Sequence, residues 1–91
     1  MAVKIRIPAP LRKLCKGQSM VEVEAGTLGE SLSRLDGQFP GVNQRLLNQE
    51  GKLQPFVNVF INGDDARFMQ ELDTPLKSGD EISIVPAVAG G

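Results

Sequence analysis

Histidine, tryptophan and tyrosine are all absent from this 91-residue chain, and cysteine occurs once, as Cys15. The lack of histidine removes the usual general base near neutral pH, the Ser-His and Cys-His nucleophile arrangements and the commonest metal ligand. Intrinsic catalysis is therefore not expected, and no catalytic or metal-ligating residue is assigned. One cysteine supplies neither an internal disulfide nor the four-thiolate ligand set of a two-iron cluster. Ten basic residues stand against eleven acidic ones for a net charge of −1, with no run of like charge. Nucleic-acid binding thus lacks both electrostatic and stacking support. No apolar stretch approaches the roughly 18 residues of a membrane span. The first residues read straight into an alternating strand, without a charged start and an apolar signal core, so a cytoplasmic location is expected.

What is present suffices for one small domain. A chain of this size buries somewhat over about 60% of its unfolded surface, so a single core is feasible without disulfide or metal. Cys15 lies in LRKLCKGQ with Lys13 and Lys16 nearby, which would lower the pKa of an exposed thiol. No base or resolving thiol accompanies it, and a small loop or core thiol is the expected role. Asp64-Asp65 and Asp80-Glu81 each abut a glycine and read as turns rather than as a metal site.

Val3, Ile5 and Ile7 alternate with polar or small residues as in a half-buried strand, closed by Pro8 and Pro10. SMVEVEA alternates again, with Val21 and Val23 on one face, and the two segments predict an opening hairpin. Thr27 and Glu30 have the spacing of a capping box. Leu28, Leu32 and Leu35 follow at helical spacing, with Gly37 and Pro40 as stop signals. A weaker helical turn covers VNQRLLN, and QEGKLQP reads as surface loop. FVNVFIN is the strongest strand, with Val57, Val59 and Ile61 on one face and Phe56, Asn58, Phe60 and Asn62 on the other. Gly63 gives the turn after it, residues 66–78 read as loop, and EISIVP closes the pattern as a last strand. The order predicts an α+β fold in which a mixed sheet grips one main helix, the β-grasp or ubiquitin-like architecture, its first and last strands parallel at the centre. The expected division is a domain over residues 1–85 and a flexible carrier tail over 86–91.

That tail is PAVAGG. Pro86 cannot donate to a continuing ladder, so the strand is expected to end near Val85. Ala87, Val88 and Ala89 are slim, and Gly90 and Gly91 carry no side chain, which suits a narrow channel leading to another protein's reaction centre. Two terminal glycines arise by chance in about 0.5% of chains. The functional group at the tip is the main-chain carboxylate of Gly91. A carboxylate resists nucleophiles until it is activated. ATP can convert it to an acyl-adenylate, after which sulfide or a persulfide gives a thiocarboxylate and an amine gives an isopeptide bond. The protein is then a substrate of its partners, which agrees with its lack of catalytic groups.

PAVAGG together with FVNVFINGDD, TLGESLSRL and the early IPAPLRKL resembles the MoaD/ThiS family of ubiquitin-like sulfur carriers over most of the chain. The resemblance implies activation of Gly91 by an E1-like, MoeB/ThiF-type adenylating enzyme using ATP and Mg, with Pro86 to Gly90 read by partners and no cofactor bound by this chain. Length, LRKLCKGQ and the ending look most like the carriers of cysteine biosynthesis. These imply a PLP-dependent cysteine synthase as sulfur acceptor and a metallopeptidase that releases cysteine. Delivery to the large subunit of molybdopterin synthase is the main alternative, and a noncatalytic ubiquitin-like interaction module is the alternative of a different class.

A carrier also needs a docking face. With the strand valines and isoleucines turned to the helix, Phe60 and Val85 fall on the outer face beside Lys4, Arg6, Asn58 and Ser83, and they are the candidate partner residues. Arg67 and Phe68 follow the turn; the expected role of Arg67 is an apolar stem covering the surface.

Overall fold

The alternating apolar runs pair as their periodicity requires. In the computed structural model, which describes residues 2–86 and Pro86 by its backbone alone, β1 (Ala2–Arg6) and β2 (Met20–Glu24) form an antiparallel hairpin with Val3 opposite Val23 and Ile5 opposite Val21. The main helix α1 (Leu28–Gln38) and a short α2 (Val42–Leu46) follow, then β3 (Val57–Ile61), the two-residue β4 (Asp64–Asp65) and β5 (Glu81–Pro86). The sheet order is β2-β1-β5-β3-β4, with β1 and β5 parallel at its middle and the other pairs antiparallel. This is the β-grasp expected from the pattern. Met1 and residues 87–91, which hold most of the tail assignment, lie outside the described residues.

Every other residue of β1, β2, β3 and β5 is buried beneath α1, whose Leu28, Leu32 and Leu35 are fully inaccessible. Thr27 Oγ1 accepts from the Glu30 N–H at 3.2 Å, while Glu30 Oε1 accepts from Gly26 N–H at 3.0 Å. The reciprocal half of the predicted cap thus lands on Gly26, one residue earlier than the Thr27 amide. Gly29 lies where α1 approaches the 3₁₀ turn Glu71–Asp73, and a Cβ there would sit 3.1 Å from the Leu72 carbonyl oxygen.

Two expected boundaries move. Gly37 is inside α1, which ends with Phe39 as its C-cap directly before Pro40, the other expected stop signal; Asp36 Oδ1 accepts from the N–H groups of Gly41 and Asn43, both at 3.1 Å, in the turn that follows. Pro86 belongs to β5, opposite Val57, rather than starting the tail. Asn62 N–H donates to Glu81 O at 2.9 Å, and counting back from that bonded pair places Val57 and Pro86 at a non-bonded position. A proline costs no ladder bond there, and the Val57 N–H turns instead to Gln54 O at 3.0 Å. Residues 66–78, read as loop, contain the 3₁₀ turns Ala66–Phe68 and Glu71–Asp73. Among the described residues no helix is long and apolar enough to cross a membrane.

The acidic pairs are turn and strand chemistry. Asp65 caps the Ala66–Phe68 turn, accepting from Arg67 N–H at 2.9 Å, and Glu81 pairs with Arg6 at 2.7 Å. Asp80 accepts from the Lys77 amide at 2.8 Å and from Asn62 Nδ2 at 2.9 Å, and these bonds, the backbone one foremost, hold its carboxyl below the usual carboxylate range. A folded-state pKa below the unfolded value stabilises the fold above the ordinary Asp range and loses that contribution as pH falls through the lowered value. Asp80→Asn is expected to lower stability at neutral pH and to narrow the gap between neutral and acid stability. Urea unfolding at the two pH values checks this; an unchanged gap would remove Asp80 from the acid response.

Candidate functional site

The site is built around the end of β5. β5 pairs with β1 through Ser83 and with β3 alone from there to Pro86, which stands opposite Val57. Residues 87–91, extended, reach about 17 Å beyond that point. Gly91 and Gly90, with Ala87, Val88 and Ala89, lie outside the described residues.

Val85 is 45% exposed and stands opposite Asn58; Phe60 is half-buried, opposite Ser83 in β5 and Asp65 in β4. The register therefore brings Phe60 and Val85 onto one outer face, with Lys4 and Arg6 exposed on β1 beyond them. They differ as probes. A carboxylate at position 60 would confront Asp65 and mix lost docking with like-charge repulsion. One at position 85 would face neutral Asn58, so Val85→Asp is the cleaner test. It is expected to leave the unfolding midpoint nearly unchanged and to slow activation by a cognate adenylating enzyme about tenfold or more, measured as pyrophosphate release. Native rates would exclude this face as the docking surface.

Arg67 does more than cover apolar surface. Its Nη1 donates to Asn58 Oδ1 at 2.6 Å, and its Nη2 reaches the carbonyl oxygens of Gln54 at 2.8 Å, Pro55 at 3.2 Å and Val57 at 2.8 Å. The guanidinium thus pins the lead-in to β3, including the residue that pairs with Pro86, and holds the platform from which the tail departs. An ammonium cannot reproduce that fork. Arg67→Met is expected to cost about 2–3 kcal/mol, with Arg67→Lys recovering little of it in urea unfolding. Full recovery by lysine would mean that charge alone, rather than the fork, does the holding.

Three exposed hydrophobics enlarge the apolar surface around this platform: Phe56 just before β3, Met69, and Phe68, which is 89% exposed. Phe56 helps line an open groove of about 300 Å³ with Pro10, Leu11, Leu46 and Val57, next to the tail exit. Alternation placed Phe56 on the outer side of its strand and Phe68 was noted after the turn, whereas nothing in the local pattern distinguished Met69 from ordinary loop residues. Cys15 takes no part: it is fully buried, and burial pushes its thiol pKa up, away from the reactive range.

The ThiS family pattern matches residues 5–91. The sulfur carrier protein CysO of Mycobacterium tuberculosis strain H37Rv is 41% identical over 93 residues, covering 100% of both chains. Small archaeal modifier protein 3 of Haloferax volcanii is 33% identical over 94 residues, again covering 100% of both. Among solved structures, a chain of the Amycolatopsis orientalis BexX/CysO complex superposes with a TM-score of 0.92 at 38% identity, covering 98% of this chain and 99% of that one.

Proposed function

The chain belongs to the ThiS family, and from that premise we propose that it is a sulfur carrier whose Gly91 carboxylate is adenylated by an E1-like, MoeB/ThiF-type partner and then converted to a thiocarboxylate. A Gly91 carboxylate oxygen attacks the α-phosphorus of ATP, which the partner holds with Mg, and pyrophosphate leaves. Hydrosulfide then forms a C–S bond at the carbonyl carbon while the C–O bond to AMP breaks; a persulfide donor forms the same bond through its outer sulfur, and a second thiol must then cleave the S–S bond of the acyl disulfide to release the thiocarboxylate. The observation that carries this reading is where β5 ends. β5 pairs with β1 through Ser83 and with β3 through Pro86, and the sequence after it is small residues closing on two glycines. No chemistry is asked of the domain itself; it presents the tail and a docking face.

Cysteine biosynthesis is the pathway we favour for the sulfur, because the CysO relative matches over its whole length; a PLP-dependent cysteine synthase would be the acceptor, and a metallopeptidase would release the product. The buried free thiol of Cys15 suits a reducing compartment, the cytoplasm. The deciding experiment incubates the intact protein with a cognate adenylating enzyme, ATP, Mg and sulfide and weighs it. A gain equal to exchange of one oxygen for sulfur supports the carrier reading. No gain with an enzyme that is active on its own carrier leaves a noncatalytic interaction module instead. The modifier relative from Haloferax favours a second outcome of the same activation, capture of the adenylate by an amine to give an isopeptide bond. A protein amine in place of sulfide tests it by the appearance of a conjugate.

A further inference from the structure

β2 forms the edge of the sheet away from β4, and between it and the second half of α1 runs an open groove of about 610 Å³ whose lining includes Ala2, Val23, Glu24, Ser33, Arg34 and Gly37. Neither the tail platform nor the Phe60 and Val85 face uses it. Ile7 N–H donates to Ser19 O at 2.8 Å, which sets the hairpin so that Val21 and Val23 are the residues bonded to β1. The N–H and C=O groups of Met20 and Glu22 then point outward. Among the described residues nothing bonds them there. Beneath this edge the buried Val23 and the exposed Gly37 both line the groove, and a Cβ added at Gly37 would find no atom within 4 Å.

We propose that this edge and groove bind an extended segment of a partner protein in which basic and apolar residues alternate, adding it to the sheet as a sixth strand beside β2. Main-chain bonds to Met20 and Glu22 would hold the segment, as in other strand additions. The period of two then separates its side chains. Those on the outer face lie beside Glu22, which favours lysine or arginine. Those on the inner face enter the groove over Val23 and into the space left by Gly37, which favours an apolar residue of moderate size.

A second copy of this chain is the poorer occupant. Antiparallel pairing of two β2 strands in full overlap sets Glu22 against Glu22, and the opposite edge offers Asp64 and Asp65, again acidic. Geometry also separates this surface from the tail. The groove takes in Ala2, the first residue of β1, whereas Pro86 ends β5, which runs parallel to β1. A partner seated here approaches the other end of the sheet and leaves the tail free to enter a different protein at the same time.

The test titrates the ¹⁵N-labelled full chain with the capped peptide acetyl-Lys-Val-Lys-Val-Lys-Val-amide and requires no thiocarboxylate, so its outcome is independent of the sulfur chemistry. Saturable amide shifts at Met20, Glu22, Val23 and residues 33–38, with slowed exchange of the Met20 and Glu22 amides, are expected. The Glu-Val peptide of the same pattern should not bind. Gly37→Leu fills the groove with the fold intact and should weaken affinity about tenfold or more; Glu22→Lys should do the same at the exposed rim. The proposal is overturned by absence of saturable binding, by shifts scattered over acidic positions and unaffected by Gly37→Leu, or by β2 signals that broaden with protein concentration alone, which would make a second copy the occupant.

Discussion

Deleting Gly91 is expected to abolish thiocarboxylate formation while leaving the unfolding transition where it is. Among the described residues the core runs from Val3 to Ile84, and deleting one terminal glycine removes no side chain. The truncated chain still ends in a glycine carboxylate, Gly90, and is chemically as competent as the parent in free solution. What changes is reach: the reactive group retreats by about 3.3 Å. Reacting atoms must meet at about 3–3.5 Å, and far smaller misplacements cost about a hundredfold. Appending an alanine after Gly91 should fail equally, by overshooting and by placing a Cβ next to the reaction centre. The measurement is the sulfur mass gain with a cognate adenylating enzyme, ATP and sulfide, alongside thermal unfolding of each variant. A truncated protein that gains sulfur at the native rate would show that the tip is not held in register by its partner. The tail would then be a tether of no defined length.

Ile82→Ala carries the largest expected loss of stability, about 2–5 kcal/mol. Ile82 is fully buried in β5 and is registered against Ile5 of β1 and Ile61 of β3, so its side chain joins both halves of the sheet beneath the helix. The loss is large against the roughly 5–14 kcal/mol expected for a domain of this length, and the midpoint of thermal unfolding should fall by on the order of 10 °C or more. Ser83→Ala, one residue along on the outer face, should stay within about 0.5 kcal/mol. The contrast has a functional side, because β5 is also what presents the tail. Near the lowered midpoint, sulfur loading of Ile82→Ala should decline in step with the folded fraction, whereas at low temperature it should match the parent. Equal stability of Ile82→Ala and Ser83→Ala would mean that the centre of the sheet is not where the fold is held.

Much of this was legible one segment at a time. Val3, Ile5 and Ile7, then Val21 and Val23, state a hairpin by period alone, and Leu28, Leu32 and Leu35 state which side of the helix is inward. The Thr27 and Glu30 pair marks the helix start because capping is satisfied within one turn. The Asn62-Gly63 turn was readable for the same reason: at φ of 53° and 92° it needs the two residue types that tolerate a left-handed backbone. Phe60 and Val85 came out on one face because each strand alternates and both face away from the buried set.

Other features depended on residues far apart in the chain. Gly37 looked like a helix stop but sits inside α1, and the turn beyond Pro40 is held by Asp36 accepting from Gly41 and Asn43. Pro86 looked like the first residue outside the sheet, and its place inside depends on the bonding phase with β3, which no local pattern contains. The four bonds of Arg67 end on residues nine to thirteen positions earlier.

By itself the sequence determined the alternation of the strands, the apolar stripe of the helix, the absence of histidine and the run of small residues that follows the last strand. All of these are properties of residue type and short-range spacing. Tertiary structure alone decided that Pro86 stays within β5 opposite Val57, that Arg67 braces the lead-in to β3, that Cys15 is sealed in the core, and that β2 leaves an acidic edge above an open groove. Each of those rests on which strand lies beside which and in what register, a choice made by burying the whole apolar set at once.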